Sequence, residues 1–282
     1  MTDPGGGSSD LAPASPSQRV ALWVEYDGTR FSGWQLQRGS PVDSVQGALE
    51  KALGFVANHP VRLHCAGRTD AGVHATAQLV HFDADNERSL QAWCRGANAN
   101  LPDDVAVRGG HLVDGEFHAR FSARSRRYRY LISNDPVRPA IGGNYLAWVR
   151  QPLEAEIMHE EAQALLGERD FSSFRAAACQ SSTPMRHVDF LEVSRHGPLV
   201  VIDIQANAFL HHMVRNIAGA LISVGKGLHP QGWLGELLAL KDRTQAPDTA
   251  PAGGLYLVGV DYPEQFGLEP PAPGPWFLGD DA

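Results

Sequence analysis

Long apolar runs, closely spaced cysteines and lysine are all scarce in this chain of 282 residues. No apolar run approaches the ~20 residues that a membrane-spanning helix needs, and the N-terminus lacks the basic and apolar regions of a secretory leader. The three cysteines are widely spaced, with no Cys-x-x-Cys pair. This pattern disfavours a disulfide framework or a zinc site and favours reduced thiols in a cytoplasmic protein.

Basic residues are missing from both ends of the chain, which explains the net charge of −8. Residues 1–18 contain two acidic side chains and residues 244–282 contain six, with no lysine or arginine in either. Residues 19–243 therefore hold 24 basic and 24 acidic side chains, and 21 of these bases are arginines. Seven arginines fall between Arg108 and Arg138. Either the genome favours arginine, or these guanidinium groups form a patch that binds the phosphates of a nucleic acid.

Two successive parts of the chain show the same predicted order of elements, β-α-β-β-α-β, with one additional helix in the second. The first part reads as strand 20–27, helix 44–56, strands 61–66 and 77–83, helix 89–101 and strand 105–113. The second part reads as strand 127–133, helix 153–167, strands 187–195 and 199–207, helices 211–227 and 233–241, and strand 254–262.

This repeated order predicts an α+β fold of two tandem ferredoxin-like units, with mainly antiparallel sheets and a cleft between them. The two sheets are expected either to face or to extend one another. We assign residues 19–115 to the N-terminal unit and residues 116–265 to the C-terminal unit. The composition of residues 1–18 predicts a disordered tail, and residues 266–282 are expected to form a loose, acidic, proline-rich tail.

The segment "GRTDAGVH" (67–74) connects the second and third predicted strands of the first unit, where the second unit has only the short turn "RHGP". Asp70 follows Arg68 by two positions, so both side chains point to the same side if the segment is extended. A neighbouring guanidinium favours the ionised carboxylate, which suits a nucleophile or a charge-positioning group better than a general acid. The alternative is that the pair only satisfies a turn.

The strand "RRYRYL" alternates tyrosines with arginines. Tyr128 and Tyr130 fall on one face, and Arg127 and Arg129 fall on the other. Aromatic rings and arginines on an exposed strand supply base stacking and phosphate contacts, so Arg127 and Arg129 are candidates for substrate binding. We expect Tyr130 to lie in the core, whereas Tyr128, at the start of the strand, is the better candidate for a site.

Arg215 lies in "FLHHMVRNIAG", close to a predicted buried stripe that includes Met213 and Ile217. Because an unpaired buried charge is costly, we expect a fixed anionic partner: a structural carboxylate, a substrate phosphate or a catalytic aspartate. His211 and His212 are adjacent, so on a helix they point to different sides and do not form the i, i+4 pair of a metal site. The sequence predicts no metal.

Six segments, in order over about residues 20 to 263, together resemble the tRNA pseudouridine synthase A family. They are "YDGTRFSGWQ", "SVQGALEKAL", "AGRTDAGVHA", "FSARSRRYRYLI", "FLHHMVRNIAG" and "APAGGLYLVGVDYP". The third is highly specific, and the others would be weak alone. The resemblance implies conversion of uridine to pseudouridine at positions 38, 39 and 40, in the anticodon stem-loop of tRNA. It also implies a homodimer that uses no metal and no organic cofactor.

Carried over residue by residue, the resemblance implies that Asp70 is the nucleophile and that Arg68 pairs with it. It also implies that Tyr128 packs against the target base and that Arg215 lies near the catalytic carboxylate. Leu255, in "GGLYL", resembles an apolar wall of the pocket.

The expected chemistry begins when the target uridine leaves its stack. Asp70 then attacks either the anomeric carbon of the ribose or carbon 6 of the uracil, and the sequence does not choose between them. Two alternatives come from other classes of protein. A catalytically silent RNA-binding protein would not need Asp70, and a metal-dependent RNA hydrolase would need clustered carboxylates or histidine ligands.

Overall fold

The computed structural model describes residues 18–36 and 43–279. Within these ranges the chain forms ten strands and five α-helices, and none of the helices is long and apolar enough to cross a membrane. The strands are β1 Gln18–Tyr26, β2 His64–Cys65, β3 His74–Ala84, β4 Val105–Val113, β5 Ser125–Ser133, β6 Ala147–Trp148, β7 Gly167–Asp170, β8 Met185–His196, β9 Leu199–Ala206 and β10 Leu255–Asp261. The helices are α1 Val45–Ala57, α2 Leu90–Asn98, α3 Ala155–Ala162, α4 Met213–Gly225 and α5 Trp233–Leu240.

The two halves of the chain have the same strand order. In the first half the order is β4-β1-β3-β2, and in the second it is β10-β5-β9-β8. Each half therefore places its last strand beside its first, then its third, then its second, and all of these neighbours are antiparallel. The order confirms the predicted α+β fold of two tandem ferredoxin-like units.

Strand β10 joins the two halves into one sheet. It pairs parallel with β3, where Tyr256 lies opposite His74 and Leu257 opposite Ala75. Its other edge pairs antiparallel with β5. Of the two arrangements expected from the sequence, the sheets therefore extend one another.

Serine caps and apolar stripes form the helices as the sequence predicts. The Ser44 hydroxyl accepts from the Gly47 amide at the start of α1, and the Ser89 hydroxyl accepts from the Ala92 amide at the start of α2. On α2, Trp93 is fully buried and meets Phe82 of β3 edge to face at 5.1 Å. The caps fix the helix starts, and the Trp93–Phe82 contact holds α2 against the sheet.

Several element bounds differ from the predictions. Helix α3 ends at Ala162 and a 3-10 turn follows at Gln163–Leu165, so the helix stops before the predicted end at Gly167. Gly167 has φ +78° and begins β7, a strand that the sequence did not predict. The predicted strand 61–66 shortens to β2. Strands of two to four residues carry too little alternation to be recognised in a sequence.

The C-terminal segment packs against the sheet, so the prediction of a loose tail is wrong for residues 266–279. Phe266 and Leu268 join the main core, and Leu278 packs on a second apolar cluster. The carbonyl of Gly274 accepts from Arg129 Nη1 at 3.2 Å. The second cluster consists of Leu131, Val201, Tyr256 and Val258. The predicted N-terminal tail lies outside the described residues, apart from Gln18, which begins β1.

Candidate active site

Buried polar contacts fix the position of the loop 66–73 between β2 and β3. The Tyr26 hydroxyl and the Thr69 hydroxyl lie 2.8 Å apart, and the Trp34 amide donates to the Thr69 carbonyl at 2.9 Å. The Gln78 side chain donates to the Gly67 carbonyl and accepts from the Gly67 amide. Asp70 therefore sits in a loop whose backbone is fixed on its N-terminal side by side chains and backbone of β1, β3 and the segment after β1.

Two glycines allow the segment after β1 to approach this loop. A Cβ on Gly28 would lie 2.0 Å from the Val73 carbonyl oxygen. Gly33 has φ +98°, and a Cβ there would lie 2.8 Å from the Thr69 carbonyl oxygen. Only glycine tolerates both the close approach and the positive φ.

Three basic side chains surround the carboxylate of Asp70, whose side chain is 27% exposed. Its Oδ1 lies 3.3 Å from His211 Nε2, and its Oδ2 lies 3.3 Å from His212 Nε2 and 3.5 Å from Arg215 Nη1. Arg215 is fixed by a hydrogen bond from its Nε to the Ala250 carbonyl at 2.8 Å. We call Asp70, His211, His212 and Arg215 the Asp70 cluster. Among the three partners considered for Arg215, the structure provides the aspartate.

The prediction that His211 and His212 point to different sides is wrong. Both residues precede α4, which begins at Met213, and His212 adopts the left-handed conformation with φ +62°. Their ring centroids are consequently 4.0 Å apart, and both Nε2 atoms face Asp70. Burial lowers the pKa of His212, as do the nearby charges of His211 and Arg215, while Asp70 opposes this shift.

The expected pairing of Arg68 with Asp70 is also wrong. Arg68 is exposed, and no ion pair joins it to Asp70 within the described residues. Strand β2 ends at Cys65, so Arg68 and Asp70 lie in the loop and not on a strand, where alternation would place their side chains on one side. The cation that contacts Asp70 comes from α4 in the other half of the molecule.

Tyr128 lies beside the loop, on the opposite face of β5 from Arg127 and Arg129. Its hydroxyl is 3.6 Å from the point that a Cβ on Gly67 would occupy, and its ring meets Phe209 edge to face at 5.0 Å. Burial raises the pKa of Tyr128 well above its ordinary value; Arg126 opposes this shift, and the charge of Asp70 adds to it. The phenol therefore stays protonated at neutral pH and can donate a hydrogen bond.

Leu255 begins β10, directly opposite Tyr130 of β5, and is almost fully buried. Tyr130 is fully buried, as predicted, and its hydroxyl donates to the Pro251 carbonyl at 2.8 Å. Because side chains two positions apart on a strand share a face, Tyr130 lies on the same face of β5 as Tyr128. Leu255 thus lies on the face that an apolar wall of the pocket requires.

Arg127 and Arg129, the candidates for phosphate contact on this strand, do not join the Asp70 cluster. Both donate to Asp203 of β9: Arg127 through Nε and Nη2 at 2.8 and 2.7 Å, and Arg129 through Nε at 2.7 Å. Strand alternation places them on the face opposite Tyr128, where Arg129 also contacts the C-terminal segment. The ion pairs with Asp203 connect β5 to β9, and the hydrogen bond from Arg129 connects β5 to the C-terminal segment.

Three further arginines, which the sequence analysis did not single out, donate mainly to carbonyl and hydroxyl oxygens. Arg126 bonds to four carbonyls, including that of Ala66 in the loop, and Arg175 bonds to the carbonyls of Cys179 and Ser181. Arg186, nearby on β8, also bonds only to carbonyls and a hydroxyl. Within the described part of the chain, none of the three forms an ion pair with a carboxylate. The three guanidinium groups therefore have no carboxylate counterion among the described residues, and Arg186 is itself buried.

Among the residues that the structure describes, two side-chain clusters have the composition of a metal site. One consists of Asp70, His211 and His212, and the other of His64, His81 and His118. In each cluster the three candidate ligand atoms lie within 4.8 Å of one another. The spacing of histidines along the sequence does not reveal either cluster, because the residues of each cluster come from separate segments of the chain.

Comparisons with known proteins show which family this chain resembles. A family model described as tRNA pseudouridine synthase matches residues 22–122 and 162–263. A protein of Aeromonas hydrophila named tRNA pseudouridine synthase A is 58% identical over 264 residues, which cover 94% of this chain and 97% of the relative. Its counterpart in Escherichia fergusonii is 57% identical over 265 residues, with the same coverage.

A solved structure, the crystal structure of a Cbf5-Nop10-Gar1 complex, is a more distant match. It has a TM-score of 0.34 and 12% identity, and the match covers 85% of this chain and 49% of that chain. This likeness is too weak to support an argument. The family match and the two curated relatives show that this chain belongs to the tRNA pseudouridine synthase family, a family of isomerases that form pseudouridine in tRNA.

Proposed function

We propose that this enzyme isomerises uridine to pseudouridine at positions 38, 39 and 40, in the anticodon stem-loop of tRNA, with Asp70 as its nucleophile. The Asp70 cluster is the observation that carries the proposal. It presents one partly exposed carboxylate on a clamped loop, with the guanidinium of Arg215 at 3.5 Å. The tRNA positions rest on the resemblance of the motifs.

The target uridine first leaves its stack, at a cost of a few kcal/mol. Tyr128 packs against the extruded base, and Leu255 supplies an apolar wall. Arg68, which is exposed two residues before Asp70, contacts the RNA. These contacts offset part of the cost of unstacking.

Asp70 then attacks either the anomeric carbon of the ribose or carbon 6 of the uracil. The bond between N1 and the anomeric carbon breaks, the base turns in the pocket, and carbon 5 bonds to the anomeric carbon. The bond that Asp70 formed also breaks, which restores its carboxylate. Carbon 5 then loses its proton and N1 gains one, so the reaction is an isomerisation without net redox change. The role of Asp70 requires a carboxylate held still while the base turns, which the clamped loop supplies.

Binding of tRNA is supported by arginines that have no carboxylate partner. Arg126 donates to the Ala66 carbonyl of the loop, and Arg175 and Arg186 lie near Cys179, whose Sγ accepts from the His211 amide. Positive charges around the Asp70 cluster attract the phosphates that flank the target nucleotide.

The remaining parts of the proposal rest on the resemblance. The enzyme acts as a homodimer in the cytoplasm, and turnover requires neither a metal nor an organic cofactor. Adjacent uridines in one stem-loop reach the same Asp70 because the RNA shifts or flexes.

Mapping the product tests the proposed positions. Unmodified tRNA transcripts would carry uridine at only one of positions 38, 39 and 40, and a control transcript would carry cytidine at all three. We expect pseudouridine at the single uridine of each test transcript and none in the anticodon stem-loop of the control. Product confined to another part of the tRNA would refute the assignment to this stem-loop.

A further inference from the structure

We propose that Asp70, His211 and His212 form a binding site for Zn²⁺, and that the bound ion inhibits the enzyme by occupying its nucleophile. The binding claim depends only on the geometry of the three side chains. The inhibition claim rests on the proposed function of Asp70.

The distances in this cluster fit the ligand spacing of zinc. With metal–ligand bonds of about 2.0–2.1 Å, two ligands of a tetrahedral ion lie about 3.3 Å apart. Each imidazole Nε2 lies 3.3 Å from an oxygen of Asp70, and all three ligand atoms fall within 4.8 Å of one another. Small side-chain rotations would therefore bring them around one ion.

The three side chains are also accessible to a hydrated ion. Their exposed fractions are 27% for Asp70, 40% for His211 and 29% for His212. Three protein ligands leave a fourth position open to water, as in zinc sites of two histidines and one carboxylate. The ion can therefore reach the three ligand side chains without a conformational change that exposes buried residues.

The backbone holds both imidazoles in this arrangement. His212 has φ +62°, a conformation that residues other than glycine adopt uncommonly. The His211 amide donates to Cys179 Sγ at 3.4 Å, and the His211 carbonyl accepts from the Ala176 amide at 3.1 Å. The histidine pair is thereby fixed before any ligand arrives, which reduces the entropic cost of binding.

The second histidine cluster does not meet the same requirements. His81 Nδ1 accepts from the Ala119 amide, and His118 Nδ1 accepts from the Arg120 amide, each at 3.1 Å. A neutral imidazole that accepts through Nδ1 carries its proton on Nε2 and has no lone pair left for a metal. Histidine ligands instead donate through the nitrogen that does not bind the ion. His81 and His118 therefore cannot bind a metal ion together with His64. The second histidine cluster serves as the control.

Charge and ligand type set the strength and selectivity of the Asp70 site. Arg215 lies 3.5 Å from the same carboxylate and repels a cation, so the affinity falls below that of a structural zinc site. Two imidazoles favour Zn²⁺ over Mg²⁺, which prefers oxygen ligands and retains its water. Magnesium in a tRNA solution would therefore leave the site free.

The first experiment measures Zn²⁺ binding directly, by competition with a chromophoric chelator at constant Mg²⁺. It compares the full-length wild-type protein with a His211→Gln/His212→Gln double variant and with His64→Gln. We expect one Zn²⁺ per chain in the wild type and in His64→Gln, and a loss of affinity of at least about tenfold in the double variant. Equal affinity in all three proteins would overturn the site.

The second experiment measures pseudouridine formation while Zn²⁺ is titrated at constant Mg²⁺. We expect Zn²⁺ to inhibit the wild type and His64→Gln at the concentrations at which it binds, and excess tRNA to relieve the inhibition. Binding without inhibition of an active enzyme would refute the regulatory claim. Absence of product from zinc-free enzyme would instead count against the proposed function and leave the binding result standing.

Discussion

At the scale of single residues, the position of Asp70 depends on side chains that do not touch the substrate. Thr69 is held by Tyr26 and Trp34, and the glycines at positions 28 and 33 let the two segments meet. Carboxylate placement within a fraction of an ångström matters because misplacement of a reacting group by about 1 Å costs roughly 10²-fold in rate.

Replacement of Gly33 tests this clamp. Gly33→Ala introduces a Cβ 2.8 Å from the Thr69 carbonyl oxygen at a residue with φ +98°. We expect a loss of about 1–3 kcal/mol in the free energy of unfolding and a loss of activity in the molecules that remain folded. Urea unfolding and a pseudouridine assay below the transition would measure both.

Gly115→Ala is the matched control for this variant. A Cβ at Gly115 meets nothing within 4 Å, and the change should stay within about 0.5 kcal/mol of the wild type. Equal free energies of unfolding and equal activities in the two variants would show that Gly33 does not fix the position of the loop.

The two arginines proposed for the site should have different kinetic effects. Arg215 contacts Asp70 at 3.5 Å, so Arg215→Ala should lower kcat by about 10²-fold. Arg68 is exposed and makes no ion pair with Asp70 in the described structure, so Arg68→Ala should mainly raise KM through lost RNA contacts. Steady-state kinetics of both variants would measure this, and the reverse pattern would contradict the assignment.

Sequence reasoning identifies site residues when a compact motif contains them. Asp70 and Tyr128 could be predicted in this way, and the need of Arg215 for an anion followed from its apolar neighbours. The orientation of His211 and His212 could not be predicted, because it depends on the start of α4 at Met213. The predicted start at residue 211 and the observed start at Met213 differ by two residues, a shift that periodicity does not resolve.

At the scale of elements, long periodic segments were predicted well and short ones were missed. Helices α1 and α2 and strand β4 lie where apolar spacing and serine caps placed them. Strands β6 and β7, of two and four residues, depend on neighbours distant in sequence. The packing of residues 266–279 was missed for a similar reason, since proline- and glycine-rich composition does not reveal an apolar patch on the sheet.

A test of this C-terminal packing compares two apolar residues of the segment. Leu278 lies on the cluster that contains Leu131 and Val258, whereas Trp276 is 85% exposed. Leu278→Asp places a charge against this cluster and should lower the free energy of unfolding by about 1–3 kcal/mol. Trp276→Ala should change it by no more than about 0.5 kcal/mol. Urea denaturation would measure both changes. An unchanged free energy of unfolding in Leu278→Asp would mean that the segment does not stabilise the sheet.

At the scale of the whole molecule, β10 makes one sheet of two units, and the Asp70 cluster draws on both. The loop with Asp70 comes from the first unit, and Arg215 comes from α4 of the second. Tandem ferredoxin-like units could be predicted from the order of elements. The pairing of β10 with β3, which joins the two units, could not be predicted, because it links residues about 180 positions apart.

Acid should destabilise the whole molecule through His81, one of the two buried histidines on β3. Burial, together with His118, His64 and Arg19, lowers the pKa of His81 to about 3. The unfolded chain therefore binds a proton at His81 between about pH 6.5 and pH 3, and the folded chain does not. The stability that this group contributes is present above pH 6.5 and is lost as the pH falls, by up to about 1.4 kcal/mol per pH unit.

Substitution of His81 isolates this effect. His81→Asn keeps an oxygen that can accept from the Ala119 amide but removes the titrating ring. Urea unfolding from pH 7 to pH 4 should show a shallower loss of stability in His81→Asn than in the wild type. Exposed His187→Asn should follow the wild type. Parallel curves for His81→Asn and the wild type would exclude His81 as the source of acid sensitivity.

The most direct test of the central claim is pseudouridine formation by Asp70→Asn on an unmodified tRNA transcript, with RNA binding measured at the same salt concentration. An asparagine occupies nearly the same volume as the aspartate but offers no carboxylate nucleophile. We predict no product above background, with tRNA bound within a few-fold of the wild-type affinity. Product at the wild-type rate would contradict the assignment of Asp70 as the nucleophile.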